Sequence, residues 1–234
     1  MNVYDMDIEG FAEPPWVRFY TKHNLAMPHL ADERAAFFAA HPRIEVDRNT
    51  QFTPRGSNAR FGDYSNVNHN VHPVFSQRAK DLLAPHLQGL GVWVELVSDE
   101  APYWLFYITN VVDALDLDRC KLLYFPNSSK LMEISEFFFR PDAVGNQFLF
   151  TLPQYPGSER LVTDRFVDFV REHGLTGFRF DLLWSQEQGP VPDGMKDWER
   201  PRMAGLQTPD PRPMSIFGTS ALGVSAPVLM PERP

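Results

Sequence analysis

Residues 162–182 read VTDRFVDFVREHGLTGFRFDL, and the fold turns on the change of period in the middle of this stretch. Thr163 stands where an N-cap belongs, Asp164 suits the positive end of a helix, and Phe166, Phe169 and Val170 recur at helical spacing until Gly174 stops the run. After Gly177 the chain alternates, Phe178-Arg179-Phe180-Asp181-Leu182, which predicts a strand with one apolar face buried. The same helix-then-strand pattern occurs about 87 residues upstream. There Ser76 is the cap, Ala79, Leu82, Leu83 and Leu87 form the helical stripe, and Gly89 and Gly91 precede the strand Val92-Trp93-Val94-Glu95-Leu96-Val97.

Between the two copies, Tyr103-Trp104-Leu105-Phe106-Tyr107-Ile108-Thr109 is aromatic and β-branched, the composition of a buried central strand. Val111–Leu117 reads as one short helical turn. Leu131–Phe139 and Gln147–Leu152 flank Arg140-Pro141-Asp142-Ala143-Val144-Gly145-Asn146, whose Pro, Asp and Gly predict a hairpin with a long loop. A short helix over Asp32–Ala40, capped at Asp32, ends before Pro42. The elements neither alternate strictly as βα nor form an all-β series, so the expected class is α+β: a mostly antiparallel sheet with a few short helices packed on it.

The chain has 234 residues, 43% of them hydrophobic, enough to bury a substantial core. Residues 185–234 contain nine prolines and five glycines, an extended composition, so we expect one α+β domain over 1–188 and a Pro/Gly-rich tail over 189–234. Twenty-two bases against thirty acids give a net charge of -8, the wrong sign for a nucleic-acid binder. Five of the eight excess negative charges fall within residues 91–136. Cys120 is the one cysteine, which rules out an intramolecular disulfide and Cys-rich zinc modules. With acidic residues at the N-terminus and no apolar run of spanning length, the expected chain is soluble, cytoplasmic and without a membrane partner.

Sequence signals for catalysis are thin. His69 and His72 form an HxxH pair, but the surrounding Asn66, Asn68, Asn70 and Pro73 indicate a loop in which both are polar surface. Cys120 adjoins the apolar run Leu122-Leu123-Tyr124-Phe125 and reads as a small core residue rather than a nucleophile. His173 sits where a helix C-terminus welcomes positive charge. Glu133 and Glu136, three apart on a strand, face opposite sides, whereas Asp116 and Asp118 suit a turn and a helix end. Phosphate-loop, dinucleotide and HExxH motifs are absent. The alternatives kept open are an enzyme using a carboxylate pair or a His69/His72 metal site, and a scaffold recruiting a partner through Pro209-Asp210-Pro211-Arg212-Pro213.

Four segments carry a resemblance: Phe75-Ser76-Gln77-Arg78-Ala79, Val111-Val112-Asp113-Ala114-Leu115-Asp116, Phe148-Leu149-Phe150-Thr151-Leu152-Pro153 and Leu175-Thr176-Gly177-Phe178-Arg179-Phe180. In order and spacing, residues 72–184 resemble the immunity proteins of bacterial polymorphic toxin systems, of the type common in myxobacteria. Cys120 departs from that pattern, which often has a serine after the V-D-A-L-D segment, and residues 1–70 and 185–234 lie outside the match. The resemblance implies a binding protein with no catalytic residues, no metal and no cofactor, whose partner is a cognate toxin, frequently a nuclease. A nuclease site is cationic, and an acidic inhibitor is steered to it. The expected partner-binding residues are therefore Glu95, Asp99, Glu100, Asp113, Asp116 and Asp118, with Trp93, Tyr103 or Trp104 as anchors.

Overall fold

A computed structural model describes residues 1–9, 31–45, 61–67, 72–97, 102–154 and 160–191. Their elements, in chain order, are β1 (Asn2–Ile8), α1 (Ala31–Ala40), β2 (Arg43–Glu45), β3 (Tyr64–Val67), β4 (His72–Ser76), α2 (Gln77–Leu87), β5 (Gly91–Val97), β6 (Tyr103–Ile108), β7 (Lys121–Tyr124), β8 (Leu131–Glu136), α3 (Pro141–Val144), β9 (Leu149–Phe150), β10 (Leu161–Thr163), α4 (Asp164–Glu172), β11 (Phe178–Ser185) and β12 (Gly189–Pro190). The class is α+β, with mostly antiparallel strand pairing and short helices.

The repeated sequence pattern is a repeated architecture. In one five-stranded sheet the order is β2-β5-β6-β4-β3, and in the other it is β12-β11-β1-β10-β9. Each contains a two-stranded antiparallel pair (β3–β4, β9–β10), then a helix (α2, α4), then a strand (β5, β11) placed two positions from the strand that preceded the helix. The strand between them is antiparallel to both, so the strands flanking each helix run parallel. That middle place is filled by the next strand, β6, in one sheet and by the N-terminal strand β1 in the other.

Both helices bury their apolar stripes in one shared core. Ala79, Leu83 and Leu87 of α2 and Phe166, Val167 and Val170 of α4 meet Tyr4, Met6 and Ile8 of β1, Phe106 and Ile108 of β6, and Phe178 and Phe180 of β11. The helices also touch, His86 of α2 lying 4.7 Å from the Phe169 ring of α4. A second cluster on the opposite face of β6 joins Tyr103, Leu105 and Tyr107 to Phe38 of α1. A third, built on Val3, Phe150, Leu161, Leu183 and Trp184, seats Ala114, Leu115, Ile134 and Phe139.

The caps behave differently in the two copies. Ser76 caps α2 as expected, its hydroxyl oxygen accepting from the Ala79 amide at 3.1 Å. Thr163 occupies the N-cap of α4, but its hydroxyl donates to the Gln147 carbonyl at 2.6 Å, tying helix to loop rather than capping. Gly174 ends α4 with φ 56°, and His173 stacks on Phe169 at 4.0 Å with Nδ1 at 2.9 Å from its carbonyl oxygen.

Three expectations are corrected. The stretch from Leu131 to Leu152 is not a hairpin: β8 pairs with β7, β9 pairs with β10, and α3 stands between them. Val111–Leu117 is not helical; it runs extended, with single bridges from Val111 to Thr151 and from Leu115 to Phe139. The expected helix over 32–40 begins a residue earlier, at Ala31, and the proposed cap, the Asp32 side chain, falls outside the described residues. Beyond Gln188, Gly189 and Pro190 add an edge strand to β11, and the description ends at Val191.

The two sheets are joined at Thr176-Gly177. The Tyr64 amide donates to the Thr176 carbonyl at 3.0 Å, and a Cβ placed on Gly177 would lie 2.6 Å from the Tyr64 carbonyl oxygen. Gly177 also has φ 88°, a region L side chains rarely adopt. Gly177→Ala is expected to destabilise the fold by about 3 kcal/mol, from backbone strain and a contact that cannot relax cheaply. Buried Asp63 accepts from the Ser76 hydroxyl, from Arg78 and from the Thr176 amide and hydroxyl, so Asp63→Ala should cost a similar ~3 kcal/mol. Urea unfolding of both variants checks this; a loss below about 1 kcal/mol in both would show that the junction is not a stabilising contact.

Candidate partner-binding surface

Of the acids singled out in the sequence, the four that are described lie on two different stretches of the fold, β5 and the segment before β7. Glu95, on β5, pairs with Arg43 of the adjacent parallel strand β2 at 2.9 Å. The aromatic residues near it are not exposed anchors. Tyr103 is buried and donates its hydroxyl to the Gly62 carbonyl at 2.7 Å. Trp93 and Trp104 are partly buried: Trp93 packs on Phe75 and Phe106, and Trp104 donates from Nε1 to Gln77 at 2.8 Å. The Lys80 ammonium lies 3.0 Å from the Trp104 ring centroid. Asp99 and Glu100 lie outside the described residues.

Asp113 and Asp116 lie on the extended segment that precedes β7, and Asp118 lies in the turn between that segment and the strand. Asp113 pairs with Arg140 at 3.1 Å, and Arg140 also donates to the Asp113 carbonyl. Asp116 builds the turn with its backbone, its amide donating to Phe138 and its carbonyl accepting from Arg119 and Cys120. Asp118 is exposed and has no ion-pair partner among the described residues. Here Cys120 is half-buried, its sulfur accepting from the Phe138 amide at 3.3 Å, and burial pushes the thiol up from its ordinary value. A raised, packed thiol is a poor nucleophile.

The strands that follow contain what the sequence reading passed over. β7 and β8 form a two-stranded sheet of their own. Leu122, Leu131 and Ile134 turn toward the cluster on Val3 and Phe150, whereas Tyr124, Phe125 and Met132 are 49%, 43% and 44% exposed, with Leu117 nearby in sequence at 43%. Among the described residues, four of the seven exposed large hydrophobic side chains thus fall in sixteen consecutive positions. The legible signal was Pro126-Asn127-Ser128-Ser129 between two apolar runs, a turn composition.

Two other polar groupings are packed into the fold rather than open. His72 is buried on β4 between Phe38 and Tyr107, rather than being loop surface, and His69 lies outside the described residues. Among the described residues no group of three or more His, Cys, Asp or Glu is placed to hold a metal ion. The charged face of β11 is also covered, contrary to the one-sided burial its alternation predicts. Arg179 bridges Asp7 at 2.9 Å and Asp181 at 3.0 Å, and Arg160 reaches Asp5 at 3.4 Å while donating from Nε to the Met6 carbonyl at 2.7 Å. The bridge from Arg179 to Asp7 across the strands, and to Asp181 along its own, offsets much of the cost of covering this face.

The chain belongs to the immunity protein family (Imm11), whose sequence profile matches residues 26–183, reaching further toward the N-terminus than the segment 72–184 that carries the resemblance. No curated protein matches it. No helix among the described residues is long and apolar enough to cross a membrane.

The ion-pair ladder generates a pH test. Burial pushes the Asp5 carboxyl up to about 6 from its ordinary 3.8, against the lowering pull of Arg160. Between those values the folded chain holds a proton the unfolded chain has released, so this group's contribution to stability falls as pH rises through that window. Asp5→Asn should therefore gain stability relative to the unaltered chain between pH 4 and pH 7. Paired urea titrations read the difference; a gap that stays constant or shrinks with pH would contradict it.

Proposed function

We propose that this chain neutralises a cognate toxin by binding it directly, without turnover, metal or cofactor, in the cytoplasm of the producing cell. The observation that carries the reading is membership of the immunity protein family, joined to a surface where unpaired acid stands beside exposed apolar side chains. A nuclease-type toxin suits that surface, because a site built to hold phosphates presents lysines and arginines. Nucleic acid is then the toxin's substrate and not a partner of this chain.

Within this reading Glu95, Asp99, Glu100, Asp113, Asp116 and Asp118 contribute the acidic field. Their roles differ physically: Glu95 and Asp113 each already hold an arginine, so they add little net field, whereas Asp116 and Asp118 are free to face a base.

The test is co-expression with the toxin encoded beside this chain. Growth should be restored, and the purified pair should form a stoichiometric complex that weakens steadily as salt rises from 50 to 500 mM, as electrostatically assisted association requires. Failure to rescue growth would remove the immunity reading; rescue by a complex indifferent to salt would remove the acidic surface from it.

A further inference from the structure

We propose that the β7–β8 hairpin is the anchor of toxin binding, its Tyr124-Phe125 end and Met132 entering a cleft that has an apolar floor and a rim of lysines and arginines. The proposal rests on the immunity reading and names the element that performs it.

Position comes first. The hairpin belongs to neither five-stranded sheet, yet it is not loose: Leu122, Leu131 and Ile134 are seated on the cluster beneath, so the outward residues are held in a fixed direction. The end of the hairpin is closed by its own hydrogen bonds. The Phe125 amide donates to the Lys130 carbonyl at 3.1 Å, the Ser128 amide to the Phe125 carbonyl at 3.1 Å, and the Lys130 amide to the Ser128 hydroxyl at 3.0 Å. Asn127 supplies the left-handed residue at φ 57° that the turn needs. An element ordered at folding loses little further freedom on binding, which is the condition for an efficient anchor.

Composition comes second. Exposed Tyr124, Phe125 and Met132 on one hairpin, with exposed Leu117 shortly before it in sequence, are the kind of surface that soluble proteins keep for partners. Charge then selects among partners. Residues 111–136 carry five acids and three bases. The bases are engaged: Lys121 with Glu136 at 3.8 Å, Lys130 at 5.6 Å from the Phe125 ring and Arg119 at 4.3 Å from the Phe138 ring. Asp118 and Glu133 are exposed with no ion-pair partner among the described residues, and Glu133 stands across from Leu123 on the same ladder. A second copy of this chain would bring acid against acid, so the complementary occupant is a basic protein.

The experiment uses the full chain and, as probe, the toxin domain encoded beside it, carrying an inactivating substitution. Against the unaltered chain it compares Tyr124→Ser/Phe125→Ser/Met132→Ser, Asp118→Lys/Glu133→Lys and, as a matched loss of an exposed ring elsewhere, Phe61→Ser. The triple variant should raise Kd at least 100-fold with its melting temperature unchanged. The charge reversal should slow association about tenfold and flatten its salt dependence, and Phe61→Ser should stay within twofold. Should the triple variant fold poorly, the single variants Tyr124→Ser and Phe125→Ser replace it, each expected to cost at least tenfold. Unaltered affinity in the hairpin variants, with the unaltered chain binding normally, overturns the anchor and leaves the immunity reading standing. No binding by the unaltered chain overturns both. A dimer of the chain alone that the triple variant dissociates, seen by light scattering, also overturns the anchor, because the apolar end is then already occupied.

Discussion

One buried carboxylate fastens the two halves of this molecule. Asp63 accepts from Ser76 Oγ at 2.8 Å, from Arg78 Nη1 at 2.8 Å, and from the Thr176 amide and hydroxyl at 3.0 and 3.2 Å. Those donors come from the cap of α2, from its first turn and from the loop after α4, so a single side chain holds together the two repeated units. Arg78 extends the fastening by donating to the His173 carbonyl at 2.6 Å, where α4 presents its negative end. A carboxylate that satisfies four donors is far less costly to bury than an unpaired one, and removing it takes the acceptor from the Ser76 hydroxyl and from both Thr176 donors, whereas Arg78 keeps the His173 carbonyl.

With the halves fixed, the remaining surfaces have defined uses. The inner faces of both sheets close on the two helices, one outer face takes α1, and the other takes the extended segment 111–116, α3 and the β7–β8 hairpin. The hairpin is therefore carried on a rigid support without being part of it. Outward side chains on such a hairpin can change without disturbing the core beneath it.

The repeat was legible because its signals are local. A cap, a stripe at helical spacing, a glycine and an alternating run lie within about twenty residues, and both copies, residues 76–97 and 163–182, form the helix and strand expected, although the Thr163 hydroxyl does not cap α4 and both faces of β11 are covered. Strand partners were not legible. Leu131–Glu136 and Leu149–Phe150 look like the arms of one hairpin because Pro141 and Gly145 lie between them, yet tertiary contacts send them to different partners. Val111–Leu117 has a helix-like spacing, but one bridge to Thr151 and one to Phe139 hold it extended. Arg179 and Asp181 read as a solvent face because alternation alone does not reveal that Asp7 stands across from Arg179 and Asp5 across from Asp181. Of the acids, the sequence located the charge but not its state: Glu95 and Asp113 were already held by Arg43 and Arg140. The exposed aromatic end at Tyr124 and Phe125 was hidden in an apolar run that looked like core.

Amide hydrogen exchange of the full chain, alone and with the inactivated toxin, tests most directly the claim that a rigid frame presents this hairpin. Added protection should concentrate in residues 121–134, while β6 and β11, already protected in the free chain, stay unchanged. Protection centred on β5 and its neighbours, with the hairpin exchanging as it does in the free chain, would contradict the account.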